Sequence, residues 1–449
     1  MDQKEDISGI DSPEPTLVHR VVEIMPSISN AFTLVTLVAS LVARSRADNP
    51  ISAGFAYGSQ KVRGVNLGGW LVLEPWITPN LFDATGNSAI VDEWTFCQFQ
   101  DTNVARSILQ QHWDTFYTEN DFRAIAAAGL NHVRLPIGFW AFDVQDGEPF
   151  IQGQQAYLDK AVTWAGNHGL KLIIDLHGAP GSQNGFDNSG QRKSFPQWHS
   201  NSNNVARTNA IIKTLASRYA RNTNVVSVIA PLNEPAGFDG DDVLDVTRQY
   251  WLDSYGNIRF PFGTSEQSNT LVLIHDAFQP LSYWSGFLTP PQHQGAAIDT
   301  HIYQVFSDDL LALSEDQHIA QACSHSSELA TFDIWAIVGE WSPARTDCAK
   351  YLNGRGVGAR FDGTRSGSTA RGSCQGFSGS AATFSSSYKT FLRKFWEAQT
   401  ISYEGGQGWI QWAWKTEEGA GEEWSYSKGL QYGWIPQNPT NRKYPNICN

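Results

Sequence analysis

Two glutamates stand in settings from which they could share one reaction. Glu234 lies in Val-Ile-Ala-Pro-Leu-Asn-Glu-Pro (228–235), and Glu340 in Ile-Val-Gly-Glu-Trp-Ser (337–342). Each ends an apolar, β-branched run and is followed within two residues by a turn former or a polar group. A parallel β/α barrel places reactive groups at such points, the C-terminal ends of its strands. Two carboxylates so placed are the minimum equipment for cleaving a glycosidic bond. One protonates the leaving oxygen while the other attacks the anomeric carbon.

The rest of the chain supplies elements that could hold such a pair. Apolar runs predict strands at Val62–Asn66, His132–Ile137, Leu170–Leu176, Val225–Leu232, Thr270–His275, Ala297–His301, Trp335–Gly339 and Gly408–Trp412. Between them, apolar residues at helical intervals predict helices over 121–128, 157–167, 206–220 and 383–398. Eight strands with intervening helices point to a (β/α)8 barrel, an α/β fold with a single domain. An open doubly wound sheet is the competing fold, but no Gly-X-Gly-X-X-Gly turn follows the first strand. Gly/Ser/Asn-rich inserts at 178–204, 235–268 and 342–382 are expected to be long loops walling the C-terminal face.

Polar residues recur where the strands meet those loops. They include Asn66 and Glu74, Arg134, Asp175 and His177, Asn233, Asp299, His301 and Tyr303, and Trp412 to Lys415. Each has an unremarkable reading when taken alone. Arg134 could form a barrel-floor ion pair, His177 and His301 could be satisfied core histidines, and Trp414 could simply pack. The ordered series, recurring from strand end to strand end, is harder to assign to packing.

Composition narrows the partner. The formal net charge of −13 argues against nucleic acid or an anionic membrane surface, and fits a neutral substrate. The 17 Trp, 14 Tyr and 24 Phe could fill a core or offer faces to sugar rings. Residues 1–24 are polar and acidic, and Ala31–Ala43 is an apolar run of signal-peptide length, too short for a conventional membrane helix. Read from Met1 it is a buried segment or short anchor. Read from Met25, the reading preferred here, it is a secretory signal cut near Ala47. Residues 1–24 are then a gene-model extension or disordered leader, 48–59 a short leader, and 60–449 the barrel. Five cysteines, an odd count, are compatible with none being paired. No acceptor sequon for N-glycosylation is present, since Asn438 is followed by Pro.

Several motifs taken together resemble glycoside hydrolase family 5, and more closely its fungal exo-β-1,3-glucanases. They are Arg-Gly-Val-Asn-Leu-Gly-Gly-Trp (63–70), Leu-Glu-Pro-Trp (73–76), Asn-His-Val-Arg-Leu-Pro-Ile-Gly (131–138) and the long block 175–190 from Asp-Leu-His-Gly to Asp-Asn-Ser-Gly. Leu-Asn-Glu-Pro (232–235), His-Ile-Tyr-Gln-Val-Phe (301–306), Gly-Glu-Trp-Ser (339–342) and Trp-Lys-Thr-Glu (414–417) complete the set.

The resemblance implies a secreted, monomeric, retaining enzyme that removes glucose from the non-reducing ends of β-1,3-glucan, without metal or cofactor and with some transglycosylation. Glu234 would be the acid/base and Glu340 the nucleophile, with Arg134 and Tyr303 aiming Glu340. Asn233 would grip the sugar 2-hydroxyl. His177 and His301 would shape the subsite at the cleaved bond, and Trp414 would floor it. Glu74, Asp187 and Asn188 would bind the terminal glucose, and Phe186 and Phe306 would clamp the next sugar. The charge of Glu340 is expected to raise the pKa of Glu234. Cys348 and Cys374 flank one insert and are expected to pair. Cys323 is then left to anchor Cys448, and Cys97 stays a free buried thiol. An endo-acting or β-1,6/β-1,4-specific glucanase is the alternative within the class. A catalytically inactive glucan-binding barrel is the alternative outside it, and an aryl β-glucoside assay separates the two.

Overall fold

The computed structural model describes residues 53–449. The extension expected at 1–24 and the signal expected at 25–47 lie outside the described residues. Eight parallel strands close into a barrel in sequence order: β1 (Val62–Asn66), β2 (His132–Gly138), β3 (Lys171–Gly178), β4 (Val226–Ala230), β5 (Leu271–His275), β6 (Ala296–Ile302), β7 (Trp335–Trp341) and β8 (Gly408–Gln411). β1 pairs with β8, with Val62 opposite Gly408, and closes the ring. Helices cover the strands outside, so strand residues are buried on both faces. That is why the strands read as nearly continuous apolar runs with little alternation.

Inside the barrel, Val62, Ile173, Val228, Leu271, Ala297, Ile337 and Ile410 pack together, with Ala53 and Tyr57 added from below. The Tyr57 hydroxyl lies 2.9 Å from His132 Nε2 and 2.8 Å from Ser227 Oγ. Residues 53–59 therefore belong to the barrel floor, and a domain start at 60 cuts into the core. A leader reading arises because Gly54, Tyr57 and Gly58 form turns and no strand or helix.

The helix expected over 121–128 spans Glu119–Ala127, because Thr118 caps it and exchanges hydrogen bonds with Asp121. The 235–268 insert departs from expectation. Most of it is the helix Asp241–Arg259, which buries Val243, Leu244, Thr247, Tyr250, Trp251, Ser254, Tyr255 and Ile258. These recur at helical spacing, but the glycines and acidic residues around them suggested a loop. The 342–382 insert is irregular and lies against other loops. Arg355 Nη1 donates to the carbonyls of Asn87 and Ile90, and the Lys350 ammonium pairs with Asp83.

Disulfides join Cys348 to Cys374 within this insert and Cys323 to Cys448 at the chain's end, while Cys97 is a buried free thiol. Closing a loop with a sequence separation of 26 stabilises by about 3 kcal/mol in the chain-entropy account. Replacing Cys348 and Cys374 together with serine is expected to lower the melting midpoint by a few degrees in scanning calorimetry. An unchanged midpoint would show that the bond does not stabilise the barrel.

Candidate active site

Glu340 ends on β7 and Arg134 crosses the barrel from β2 to meet it. Arg134 Nη1 donates to Glu340 Oε1 at 2.8 Å and to Asn66 Oδ1 at 3.0 Å. Its Nη2 donates to Asn233 Oδ1 at 2.8 Å and lies 3.2 Å from Asp175 Oδ2 and 3.9 Å from Asp299 Oδ2. Burial alone would weaken the guanidinium charge. Asp175, Glu340 and Asp299 more than offset it, so the cation is held. Tyr303 donates its hydroxyl to the other Glu340 oxygen at 2.9 Å.

The residue before Glu340 has to be glycine. A Cβ on Gly339 would come within 2.1 Å of Asp299 Oδ1, the atom that accepts the Gly339 N–H at 2.8 Å. Asp299 then supports Arg134, which explains in atoms the Gly-Glu pair of the sequence.

Glu234 sits in the left-handed region at φ 47°, where a non-glycine residue is strained by about 1–3 kcal/mol. Its side chain is buried and held from two sides. His301 Nδ1 is 2.7 Å from Oε1, and Asn188 Nδ2 donates to Oε2 at 3.4 Å. The same His301 nitrogen lies 3.5 Å from Glu340 Oε2. One oxygen of each glutamate is therefore within about 6.2 Å of the other, so the two carboxylates can reach one sugar. The arrangement can serve a double displacement.

The electrostatics differ from the expectation that Glu340 raises Glu234. Burial pushes Glu234 up, but the hydrogen bond and charge of His301 outweigh it and hold this carboxyl below its ordinary range. Burial leaves Glu340 above its ordinary value, although His301 and Arg134 pull it down. Burial opposes a charge on His301, yet Glu340, Asp299 and Glu234 raise its pKa well above that of free histidine. His301 Nδ1 faces an oxygen of each glutamate, so a proton on that nitrogen is shared between two carboxylates. The three groups titrate as one unit.

Around this core are buried polar atoms with no protein partner. Asn233 Nδ2 is one, since its Oδ1 is taken by Arg134. Glu74 Oε1 is another, its Oε2 accepting the Trp76 indole N–H at 3.0 Å. Asp187 Oδ2 and His177 Nε2 are two more, with His177 Nδ1 on Asp175 Oδ2 at 2.6 Å. Burial, then the charges of Glu340 and Asp187, raise Glu74 well above the ordinary range, and burial and Asp92 raise Asp187 to about 7. Glu74, Asp187, Glu234 and Glu340 thus surround one space.

One sequence-derived placement changes. Trp414 does not line this space. Its indole N–H donates to Asp121 Oδ1 in the helical layer at 3.1 Å, and its ring stacks on Tyr426. Trp412 is the tryptophan at the site, stacked on His177 with ring centroids 5.5 Å apart. β8 stops at Gln411, so strand alternation could not be carried through to Trp414. The rings expected to clamp a sugar, Phe186 and Phe306, are both exposed but belong to different groups. Phe186 stacks on Phe238 at 6.2 Å, which leads on to Phe278, while Phe306 packs on Tyr303 at 5.3 Å and near Trp424. Sequence reading missed His275, Phe238, Phe278 and Trp424. His275 carries the signal used for the others, a polar residue at a strand end.

Among the described residues, Glu234, His275 and His301 offer atoms within 4.8 Å of one another, close enough to hold a cation. The hydrogen bonds do not fit one. His275 Nδ1 accepts the Ala277 N–H at 3.0 Å, so a neutral ring carries its proton on Nε2 and has no lone pair to give.

Residues 90–343 match the family described as Cellulase (glycosyl hydrolase family 5). The chain belongs to glycosyl hydrolase family 5. It is 46% identical over 420 residues to “Probable glucan 1,3-beta-glucosidase A” of Aspergillus niger, covering 93% of this chain and 97% of that protein. It is 44% identical over 423 residues to “Glucan 1,3-beta-glucosidase” of Blumeria graminis, covering 93% and 95% respectively. Among solved structures, the rutinosidase from Aspergillus niger shares the fold with a TM-score of 0.66 at 20% identity, over 85% of this chain and 99% of that one.

Proposed function

We propose that this family 5 hydrolase removes glucose from the non-reducing ends of β-1,3-glucan with retention of configuration. The glucan 1,3-β-glucosidase activity named for both relatives supports the substrate class. The observation that carries the mechanism is the single His301 nitrogen lying 2.7 Å from Glu234 and 3.5 Å from Glu340. It links an acid/base to a nucleophile across one anomeric carbon. When substrate binds, the His301 proton passes to Glu234, which gives it to the leaving oxygen as Glu340 attacks. Asn233 Nδ2 meets the 2-hydroxyl, a contact that strengthens as positive charge develops on the ring. Secretion into a wall space rests on the apolar 31–43 run and on the two disulfides, which suit an oxidising compartment. No helix of the described residues is long and apolar enough to cross a membrane.

Exo action rests on a proposed pocket for one terminal glucose. Glu74 Oε1 and Asp187 Oδ2 are buried acceptors that can satisfy the hydroxyls of one terminal glucose. Phe186 and Phe306, both exposed, are the rings proposed to meet the second sugar. Laminarin digestion is expected to release glucose as the sole early product. Replacing both phenylalanines with alanine should weaken glucan hydrolysis about 10- to 100-fold, from lost ring contacts with the second sugar. Hydrolysis of an aryl glucoside should change far less. Early laminaritriose and longer oligomers in a chromatographic time course, or equal losses on both substrates, would mean an open cleft and internal cutting.

A further inference from the structure

β5 is the strand whose end the sequence reading left without a role, and it ends in a histidine. Register opposes His275 to Asp299, which places His301 two residues further along the same face of β6. The ring of His275 stands edge-to-face on that of His301, with centroids 4.3 Å apart and planes at 80°. Phe278 borders it at 5.5 Å. The bond from Ala277 N–H to Nδ1 fixes the ring's rotation, and Nε2 is buried with no protein partner. The side chain is immobilised and buried next to the proton-carrying residue, yet the reaction as described makes no use of it.

His301 needs such a neighbour. Its Nδ1 is 2.7 Å from one glutamate and 3.5 Å from the other, so a small rotation of the ring decides which carboxylate receives the proton. Proton transfer works at about 2.6–3.2 Å, and only Glu234 lies in that range. We propose that His275 is a positioning residue, a neutral ring whose contact with His301 keeps Nδ1 on Glu234. The proposal rests on the acid/base reading of Glu234 given above.

Neutrality is part of the design, because a second positive charge 4.3 Å from His301 would expel the proton that His301 carries. The groups facing His275 are Asp276 at its own strand end, Asp299 and His301 on β6, Glu234 after β4, Arg134 on β2 and His177 on β3. Burial, then the charge of His301, hold its pKa well below that of free histidine, against the pull of Asp299.

His275→Asn tests this, since the amide oxygen can still accept the Ala277 N–H while the ring is lost. The measurement is kcat/KM for aryl β-glucosides of graded leaving-group acidity, with pH profiles and melting curves. We expect dinitrophenyl glucoside to lose less than about threefold, and phenyl glucoside and laminaribiose about tenfold or more, because only poor leaving groups need the proton. The basic limb should move to lower pH, because a misplaced His301 releases its proton sooner. Equal losses for all leaving groups with an unmoved limb would overturn the proposal. Failure of the acid/base reading would appear elsewhere, as a Glu234→Gln enzyme indifferent to the leaving group. If His275→Asn does not fold, nitrogen-15 NMR of the wild-type histidines between pH 4 and 7 decides. A neutral His275 protonated on Nε2 is expected, and a cationic His275 at pH 5 would overturn the proposal.

Discussion

Glu340→Gln is expected to abolish turnover on every substrate, by at least about 10⁴-fold, because no glycosyl-enzyme can form. Burial and hydrogen bonding make the loss specific. Arg134 and Tyr303 hold one Glu340 oxygen each, at 2.8 and 2.9 Å, and the neutral amide fits the same space. The fold should survive while the attacking charge is gone. With Glu340→Ala, added azide can occupy the vacated space and attack an activated β-glucoside from that face, giving the α-glucosyl azide. Residual hydrolysis within tenfold of wild type would remove Glu340 from the nucleophile's role.

The second large effect separates the partner. Glu234→Gln should slow substrates with poor leaving groups by about 10²–10⁴-fold while sparing the first step for dinitrophenyl glucoside. The covalent intermediate should then accumulate, since no base remains to activate water. Azide needs no base, so Glu234→Ala with azide should give the β-glucosyl azide, and an α-product there would reverse the two assignments.

The pH profile follows from the same cluster. The productive form carries one proton among Glu234, Glu340 and His301. Falling pH adds a second proton and silences the nucleophile. Rising pH removes the one proton and leaves no acid. Activity should therefore be bell-shaped, with its optimum on the acidic side, and a rate still climbing above neutrality would contradict the cluster as drawn. The raised affinity of His301 for its proton sets the basic limb, and the raised Glu340 the acidic one.

The barrel was legible because its strands are buried on both faces, so Val225–Leu232 or Ala297–His301 can only be read as core strands. Observed β4 and β6 fall within two residues of those bounds. The strand-end rule also led to Arg134, Asn233, His301 and Tyr303, which the fold brings onto the two glutamates. Three features were not legible, each for a physical reason. Trp414 and Trp412 are two residues apart and chemically identical, and only the chain's path after Gln411 sends one outward to Asp121. Helix Asp241–Arg259 follows Gly240 and opens with two aspartates, which suit a helix start as well as a loop. The lowering of Glu234 depends on its hydrogen bond with His301, a contact across two strand ends that no motif specifies.

The central claim, that Glu340 takes the sugar covalently, is tested most directly by trapping. A 2-deoxy-2-fluoro-β-glucoside with a dinitrophenyl leaving group forms the intermediate but slows its hydrolysis. Peptide mass mapping of the labelled enzyme should then place the sugar on Glu340, within Ile-Val-Gly-Glu-Trp-Ser (337–342). Label on another residue, or no label together with α-glucose as the first product, would contradict it.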